Sequence, residues 1–309
     1  MTTNEFYFTS CNGKTQIHCI EWAPETTPRA VIQIAHGISC HVARYEPLAE
    51  FLCANGFAVV GNDHLGHGLS RTNEEDALFF GENSGWELVV GDLRQLTMQI
   101  HDKYPGIPVI LLGHSMGSFL ARSYAIRFQD GIDGLILSGT GQQNPALVSA
   151  GSIAANAEIR RHGPRYRSEK LNSMVFGQYN KNFMPARTPY DWLTRDTDVV
   201  DRYIADPKCG GVPTVGLFRD MMHGIALISQ EKNLQRMNKN LPVLFFAGDM
   251  DPVGECGKGV IRAYAGFLKA GMEDVTLKLY PGGRHEMLNE INRDQVRQDI
   301  LWWLNAKLA

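Results

Sequence analysis

The chain has 309 residues and no uninterrupted run of 18 apolar ones, so no membrane span is expected. It has no basic block or stripe. With a formal net charge of −3, it lacks the clustered Lys and Arg that a nucleic-acid binder needs to displace counterions from phosphates. The opening MTTNEFYFTS lacks the basic start and apolar middle of a signal peptide. The six cysteines, Cys11, Cys19, Cys40, Cys53, Cys209 and Cys256, form no C-x-x-C pair and no Cys/His zinc spacing. Reduced thiols, a cytoplasmic setting, and no metal or other cofactor are the expectations. Internal repeats and low-complexity tracts are missing as well.

What is present is an ordinary globular composition. With 44% hydrophobic and 20% charged residues, the chain can bury a large core. The early segments EFYFTS and TQIHCIEWA read as strands joined through Asn12-Gly13, a hairpin signal. Apolar runs then mark strands at 30–37, 57–63, 108–113, 134–139, 241–249 and 275–283. Helical periodicity marks 44–54, 86–103, the segment from Ser115, 256–270 and 291–307. Alternating strands and helices predict an α/β fold, a mostly parallel central sheet flanked by helices, with only the first hairpin antiparallel.

The rhythm stops between about 141 and 240. That stretch is polar and broken (RRHGPRYR, FMPARTPYDW, KCGGVP), with helical pieces near 190–206 and 213–229. No linker-like segment flanks it, so it reads as a cap inserted between the sixth and seventh strands. The division is core 1–140, cap 141–240, core 241–309. Phe176, Phe183, Trp192, Phe218, Met221 and Met222 are candidates for its apolar underside, and His223 for either cap packing or the pocket.

Gly113-His114-Ser115-Met116-Gly117 fits G-x-S-x-G between a strand and a helix. A turn this sharp strains the serine backbone and presses helix against strand, which explains the glycines. A serine hydroxyl needs a base, and the base an orienting carboxylate, in the chain order Ser, acid, His. The tail supplies Asp249 and Asp251 past one strand and His285 past the next. Asp251, just before Pro252, is the better placed acid; Asp249 suits a local turn. The His36-Gly37 step after the third strand suggests an oxyanion hole, with the N–H groups of Ile38 and Met116 as donors and Gly37 allowing close approach of substrate. Asp63, His64, Gly66, His67, Gly68 and Ser70 read as a structural turn, and His41 and His114 as loop anchors. Trp302-Trp303 reads as packing of the last helix.

Together these pieces resemble the α/β-hydrolase superfamily, and within it the monoacylglycerol lipase and lysophospholipase group. The resemblance rests on HGISCHVARYEPLAEFL (36–52), DHLGHGLS (63–70), GHSMGS (113–118), GDMDPVG (248–254) and RHEMLNE (284–290). It implies Ser115 as nucleophile, Asp251 as acid, His285 as base, an oxyanion hole at Ile38 and Met116, and a cap that forms an acyl tunnel and can rest on membranes. The expected reaction is cleavage of a small-molecule ester or lipid through an acyl-enzyme. A small-ester esterase, thioesterase, serine aminopeptidase-like peptidase, acyltransferase or non-catalytic binding protein of the same fold are the alternatives.

Overall fold

Consecutive side chains of an extended segment point to opposite faces of a sheet, so a strand apolar at every position is covered on both sides. Val109-Ile110-Leu111-Leu112 has this pattern, and Val31-Ile32-Gln33-Ile34-Ala35 departs from it only at Gln33, whose amide is satisfied by Leu93 O and the Thr97 hydroxyl; all are buried. The computed structural model, which describes residues 1–308, places both at the centre of one eight-stranded sheet. The elements follow as β1 (Thr2–Thr9), β2 (Gln16–Ala23), β3 (Val31–Ala35), α1 (Glu46–Ala54), β4 (Ala58–Asn62), α2 (Gly85–Lys103), β5 (Val109–His114), α3 (Met116–Arg127) and β6 (Gly134–Ser138). The insertion contributes α4 (Pro145–His162), α5 (Glu169–Phe176), α6 (Thr197–Ala205), α7 (Val215–Ile228) and α8 (Glu231–Leu234). The chain closes with β7 (Val243–Gly248), α9 (Lys258–Lys269), β8 (Val275–Tyr280) and α10 (Arg293–Lys307).

The strand order is β1-β2-β4-β3-β5-β6-β7-β8. All pairs from β4 to β8 are parallel, while β2 runs against both neighbours. Alternation divides the core in two. Val31, Val109, Leu111, Leu135 and Phe245 pack with α2, α3 and the insertion. Ile32, Ile110, Leu112, Ile136 and Phe246 pack against α1 and α10 on the other face.

The last helix corrects one expectation. Trp303 is buried against the sheet, but Trp302 is 70% exposed. Adjacent helical residues lie about 100° apart, so the two cannot share a face.

The insertion between β6 and β7 is more helical than its sequence suggested. Asn144 caps α4, accepting from the Ala146 N–H at 2.9 Å, and Pro145 occupies its first turn. RRHG closes that helix, with Arg160, Arg161 and His162 in the last turn and Gly163 just beyond at φ 83°. The helix expected from 190 begins only at Thr197, where Asp196 accepts from the Asp198 and Val199 N–H groups. Before it, the backbone of 191–194 is engaged elsewhere. Glu286 N–H donates to Leu193 O at 2.7 Å, and Arg284 donates to the carbonyls of Asp191 and Thr194.

The insertion shares the core of the sheet. Phe218, Met221 and Ile225 of α7 belong to the same buried cluster as Leu120 and Tyr124 of α3. Arg122 of α3, fully buried, donates to Gly141 O at 2.9 Å and to Ile228 O at 3.2 Å. Gly141 lies just after β6 and Ile228 ends α7, so one side chain pins two distant points of the insertion.

Candidate active site

Ser115 stands at φ 54°, ψ −124°, at the junction of β5 and α3. A β-carbon added at Gly113 would strike the Gly117 carbonyl, and one at Gly117 would strike that of Ala35. The two glycines are therefore what lets α3 start directly against β3 and β5 and hold the serine in a left-handed conformation. Met116 is the first residue of α3, so its N–H has no carbonyl one turn earlier to bond.

The backbone of 36–38 runs along the same point. A Cβ at Gly37 would lie 3.2 Å from Ser115 Cβ. This segment is locked from below. His64 N–H donates to His36 Nε2 at 2.9 Å, so the His36 proton sits on Nδ1 and is donated to Gly37 O at 2.7 Å. His64 Nε2 donates to His36 O at 3.1 Å. His67 donates from Nδ1 to Leu65 O at 3.0 Å. The remaining nitrogens, His64 Nδ1 and His67 Nε2, are buried without partners. By these tautomers they are bare lone pairs, and protonating either would create an unpaired buried N–H. Burial lowers all three imidazoles: His36 well below the usual range, His64 to about 3 and His67 to about 4. Asp63 is the hub of the same turn, accepting from Val42 N–H and Leu69 N–H at 2.8 Å each. The expected structural turn is thus the support of the 36–38 loop.

Past β7 and β8 the two acids separate. Asp251 is fully buried and receives His285 Nδ1 at 3.0 Å from both carboxylate oxygens. Asp249 accepts from Gly282 N–H at 2.7 Å and serves as a loop tie. With Nδ1 bound to Asp251, His285 keeps Nε2 for another partner. Its ring lies between Trp192 and His114, with centroids 5.0 and 4.7 Å away. His114 is anchored through Nδ1 to Ser138 Oγ at 3.1 Å; burial, helped by neighbouring His285, pushes its pKa down to about 3.

Ser115 and His285 open onto one cavity of about 320 Å³. Gly37, Ile38, Ser39 and Cys40 form one side, and the insertion forms the rest through Phe176, Tyr190, Trp192, Leu193, Tyr203 and Val212. Among the described residues, the only acidic one on the wall is Glu286, bound by two Arg44 guanidinium nitrogens at 2.7 and 2.8 Å. Burial alone would raise its carboxyl, but the Arg44 charge outweighs this and holds it down to about 2.

Four expected lining residues lie elsewhere. Phe218 is one layer behind the wall, its ring 6.2 Å from that of Phe176. Met221 is buried in the core, Met222 packs beside Gly151 on α4, and His223 reaches Glu87 of α2 at 3.0 Å on the surface. The reason is orientation: α7 turns its apolar face to α3 and α4 and stands off the cavity. Phe183 lies under the Arg284 guanidinium. Tyr190, Tyr203, Asn172 and Ser173 were missed. For Tyr203 a signal existed, since Val199, Val200 and Tyr203 make one face of α6.

A serine at a helix N-terminus, a histidine oriented by a buried carboxylate and a half-apolar cavity suit nucleophilic acyl transfer. Comparison with known proteins agrees. A family model described as serine aminopeptidase, S33, matches residues 26–292. The monoacylglycerol lipase of Mycolicibacterium smegmatis is 30% identical, covering 99% of each chain. The monoglyceride lipase of Homo sapiens is 29% identical over 95% of this chain and 88% of its own. The crystal structure of a thermostable carboxyl esterase from Bacillus coagulans, in complex with glycerol, superimposes with a TM-score of 0.93 at 28% identity, covering all of both chains. The chain belongs to the serine aminopeptidase S33 family of α/β-hydrolases, as a monoacylglycerol lipase-like ester hydrolase.

Proposed function

We propose that Ser115 attacks the carbonyl of a monoacylglycerol-type ester, with His285 as base, Asp251 as its orienting acid, and the Ile38 and Met116 N–H groups holding the oxyanion. The observation that carries this reading is the buried Asp251–His285 pair opening on the same cavity as Ser115. In the first step the Ser115 proton moves to His285 Nε2 as the Ser115 Oγ–acyl bond forms. His285 then gives that proton to the departing alcohol. In the second step water, deprotonated by His285, releases the acid and restores Ser115.

The residues support dividing the chain into core 1–140 and 241–309 with 141–240 as cap. The cavity, at the lower end of the roughly 300–1,000 Å³ usual for small-molecule sites, favours one acyl chain with a small head group over a triacyl ester. The family model's description raises a peptidase reading. A free amino terminus is best received by an unpaired carboxylate, and among the described residues the acidic residue on the wall, Glu286, is already bound by Arg44. The ester reading is favoured on that ground.

Among the described residues, no helix is long and apolar enough to cross a membrane. The insertion exposes Leu147, Ile153, Met174, Met184 and Ile204, which supports peripheral contact with lipid surfaces. All six cysteines are free thiols, in keeping with a cytoplasmic setting.

The test is a fluorophosphonate adduct mapped by mass spectrometry, together with hydrolysis of monoacylglycerols of varied chain length and of aminoacyl amides. An adduct on Ser115 and preference for the glycerol esters are expected. Labelling elsewhere, or faster amide cleavage, would overturn the assignment.

A further inference from the structure

Outside the catalytic cavity the fold gathers one more set of chemically capable side chains. His41 lies just past the 36–38 loop, and Asp206 and Cys209 lie in the loop after α6, some 165 residues away. Their potential ligand atoms all fall within 4.8 Å of one another. His41 is buried, while Asp206 is 29% exposed and Cys209 half-buried, so solvent has a path to the cluster. His41 Nε2 and Asp206 Oδ2 are already in contact at 2.7 Å.

Imidazole nitrogen, carboxylate oxygen and thiolate sulfur form the mixed donor set that suits a borderline-soft divalent ion. Tetrahedral zinc, with bonds of about 2.0–2.1 Å to N and O and about 2.3 Å to S, sets its donors roughly 3–4 Å apart. The His41–Asp206 pair would open by about 0.6 Å, and the sulfur would close by about 1 Å at most. The three donors fill three positions, leaving the fourth to water. Bound as imidazole, carboxylate and thiolate, with the thiol proton released to solvent, they neutralise a doubly charged ion.

The backbone around the cluster is already organised. Asp206 Oδ1 accepts from Lys208 N–H at 2.8 Å, and Asp206 O accepts from Cys209 N–H at 3.0 Å. The next residue, Gly210, donates to Ser39 O at 3.0 Å and to the Tyr203 hydroxyl at 3.1 Å. The Tyr203 hydroxyl in turn donates to Ser39 O at 3.0 Å. Ser39, Tyr203 and Gly210 all line the cavity. The cluster therefore sits where the loop bearing Ile38 meets the insertion, directly behind the cavity wall.

We infer that His41, Asp206 and Cys209 form a binding site for a zinc-class divalent cation, and that its occupation ties the insertion to the 37–41 loop and slows turnover. The ion takes no part in the chemistry. Binding is read independently of the catalytic assignment, so failure of one is distinguishable from failure of the other.

The experiment uses chelator-stripped full-length protein, titrated with ZnCl₂ against a chromophoric chelator and with CoCl₂ by absorption. One ion per chain, and a thiolate-to-cobalt charge-transfer band in the near ultraviolet, are expected. Cys209→Ser should lose the band and weaken zinc binding at least tenfold, while Cys256→Ser keeps both. Cys209→Ser should keep its metal-free activity on a short p-nitrophenyl ester, and zinc should slow the wild type reversibly but not this variant. Equal zinc affinity in Cys209→Ser and wild type, or no charge-transfer band in the wild type, would overturn the site. Zinc bound at Cys209 with unchanged turnover would overturn the coupling to the cavity.

Discussion

In β5 the side chains of Val109 and Leu111 pack on one face of the sheet and those of Ile110 and Leu112 on the other, all of them buried. In α4, eighteen residues long, only Val148 and Ala155 are buried. The central strands of the sheet are constrained at every position, because each residue has a neighbour above, below and beside it. The insertion is constrained along narrow seams and where its loops meet the site. The difference teaches where chemistry and selectivity reside: the proposed catalytic groups hang from strand ends, while most of the cavity wall comes from the lightly constrained insertion.

The largest effects should come from the sheet. Ser115→Ala should lower kcat by about 10⁶ with Tm nearly unchanged. More than a few per cent residual esterase activity in pure protein would break the proposed assignment. Asp251→Asn should cost about 10⁴ in kcat by losing the acceptor that sets the His285 tautomer. Asp249→Asn, which weakens only the tie to Gly282, should cost less than tenfold. Equal losses in the two would place the acid wrongly.

Stability should respond to acid through the same half of the molecule. His36, His64 and His67 are held neutral well below the free histidine value of about 6.5. Above that value the folded and unfolded chains are both neutral at these sites. As pH falls below it, the unfolded chain takes up protons that the folded chain refuses. His64 and His67 therefore each remove up to about 1.4 kcal/mol per pH unit, until the pH reaches their folded values of about 3 and about 4, and His36 acts in the same direction. Urea midpoints should drop steeply between pH 6.5 and 4.5, and His223→Ala, a surface change in the insertion, should leave that slope alone. A flat series would contradict the neutral histidine stack.

The smallest expected effect separates wall from backing within the insertion. Phe176→Trp should shift the best acyl length shorter, each excluded CH₂ costing about 0.8 kcal/mol, roughly fourfold in kcat/KM. Met222→Ala and His223→Ala should leave the chain-length profile unchanged. A shift in either of these, with none in Phe176→Trp, would restore α7 as the wall.

The sheet and the proposed triad were legible because two periodicities and one motif coincide there. The strand at 108–113, the glycines around Ser115 and the order Ser115, Asp251, His285 all describe one junction. The choice of Asp251 over Asp249 followed from loop position, and the contact with His285 accords with it. In the insertion the start of α4 is legible at Asn144-Pro145, although the polar residues around it obscure the signal. The segment 190–196 was illegible in principle. Trp192 N–H goes to the Asn180 side chain, and Leu193 O and Thr194 O serve the loop that holds His285. Those partners lie 12 and 90 residues or more away in sequence, beyond the span of one helical turn or hairpin, so local propensity has no bearing on them. The same holds for α7: an apolar helix over a cavity and one beside it have the same pattern, and only packing separates them.

Arg122 has a consequence for modular exchange. Its guanidinium takes up the carbonyls of Gly141 and Ile228, and neither bond depends on any side chain between those residues. A foreign segment spliced in at these two points would inherit its anchorage from the helix that carries the nucleophile. Libraries that vary length and sequence inside 143–214, while keeping Arg122, Gln142 and the core residues of α7, therefore have a fixed frame on which new substrate mouths can be built.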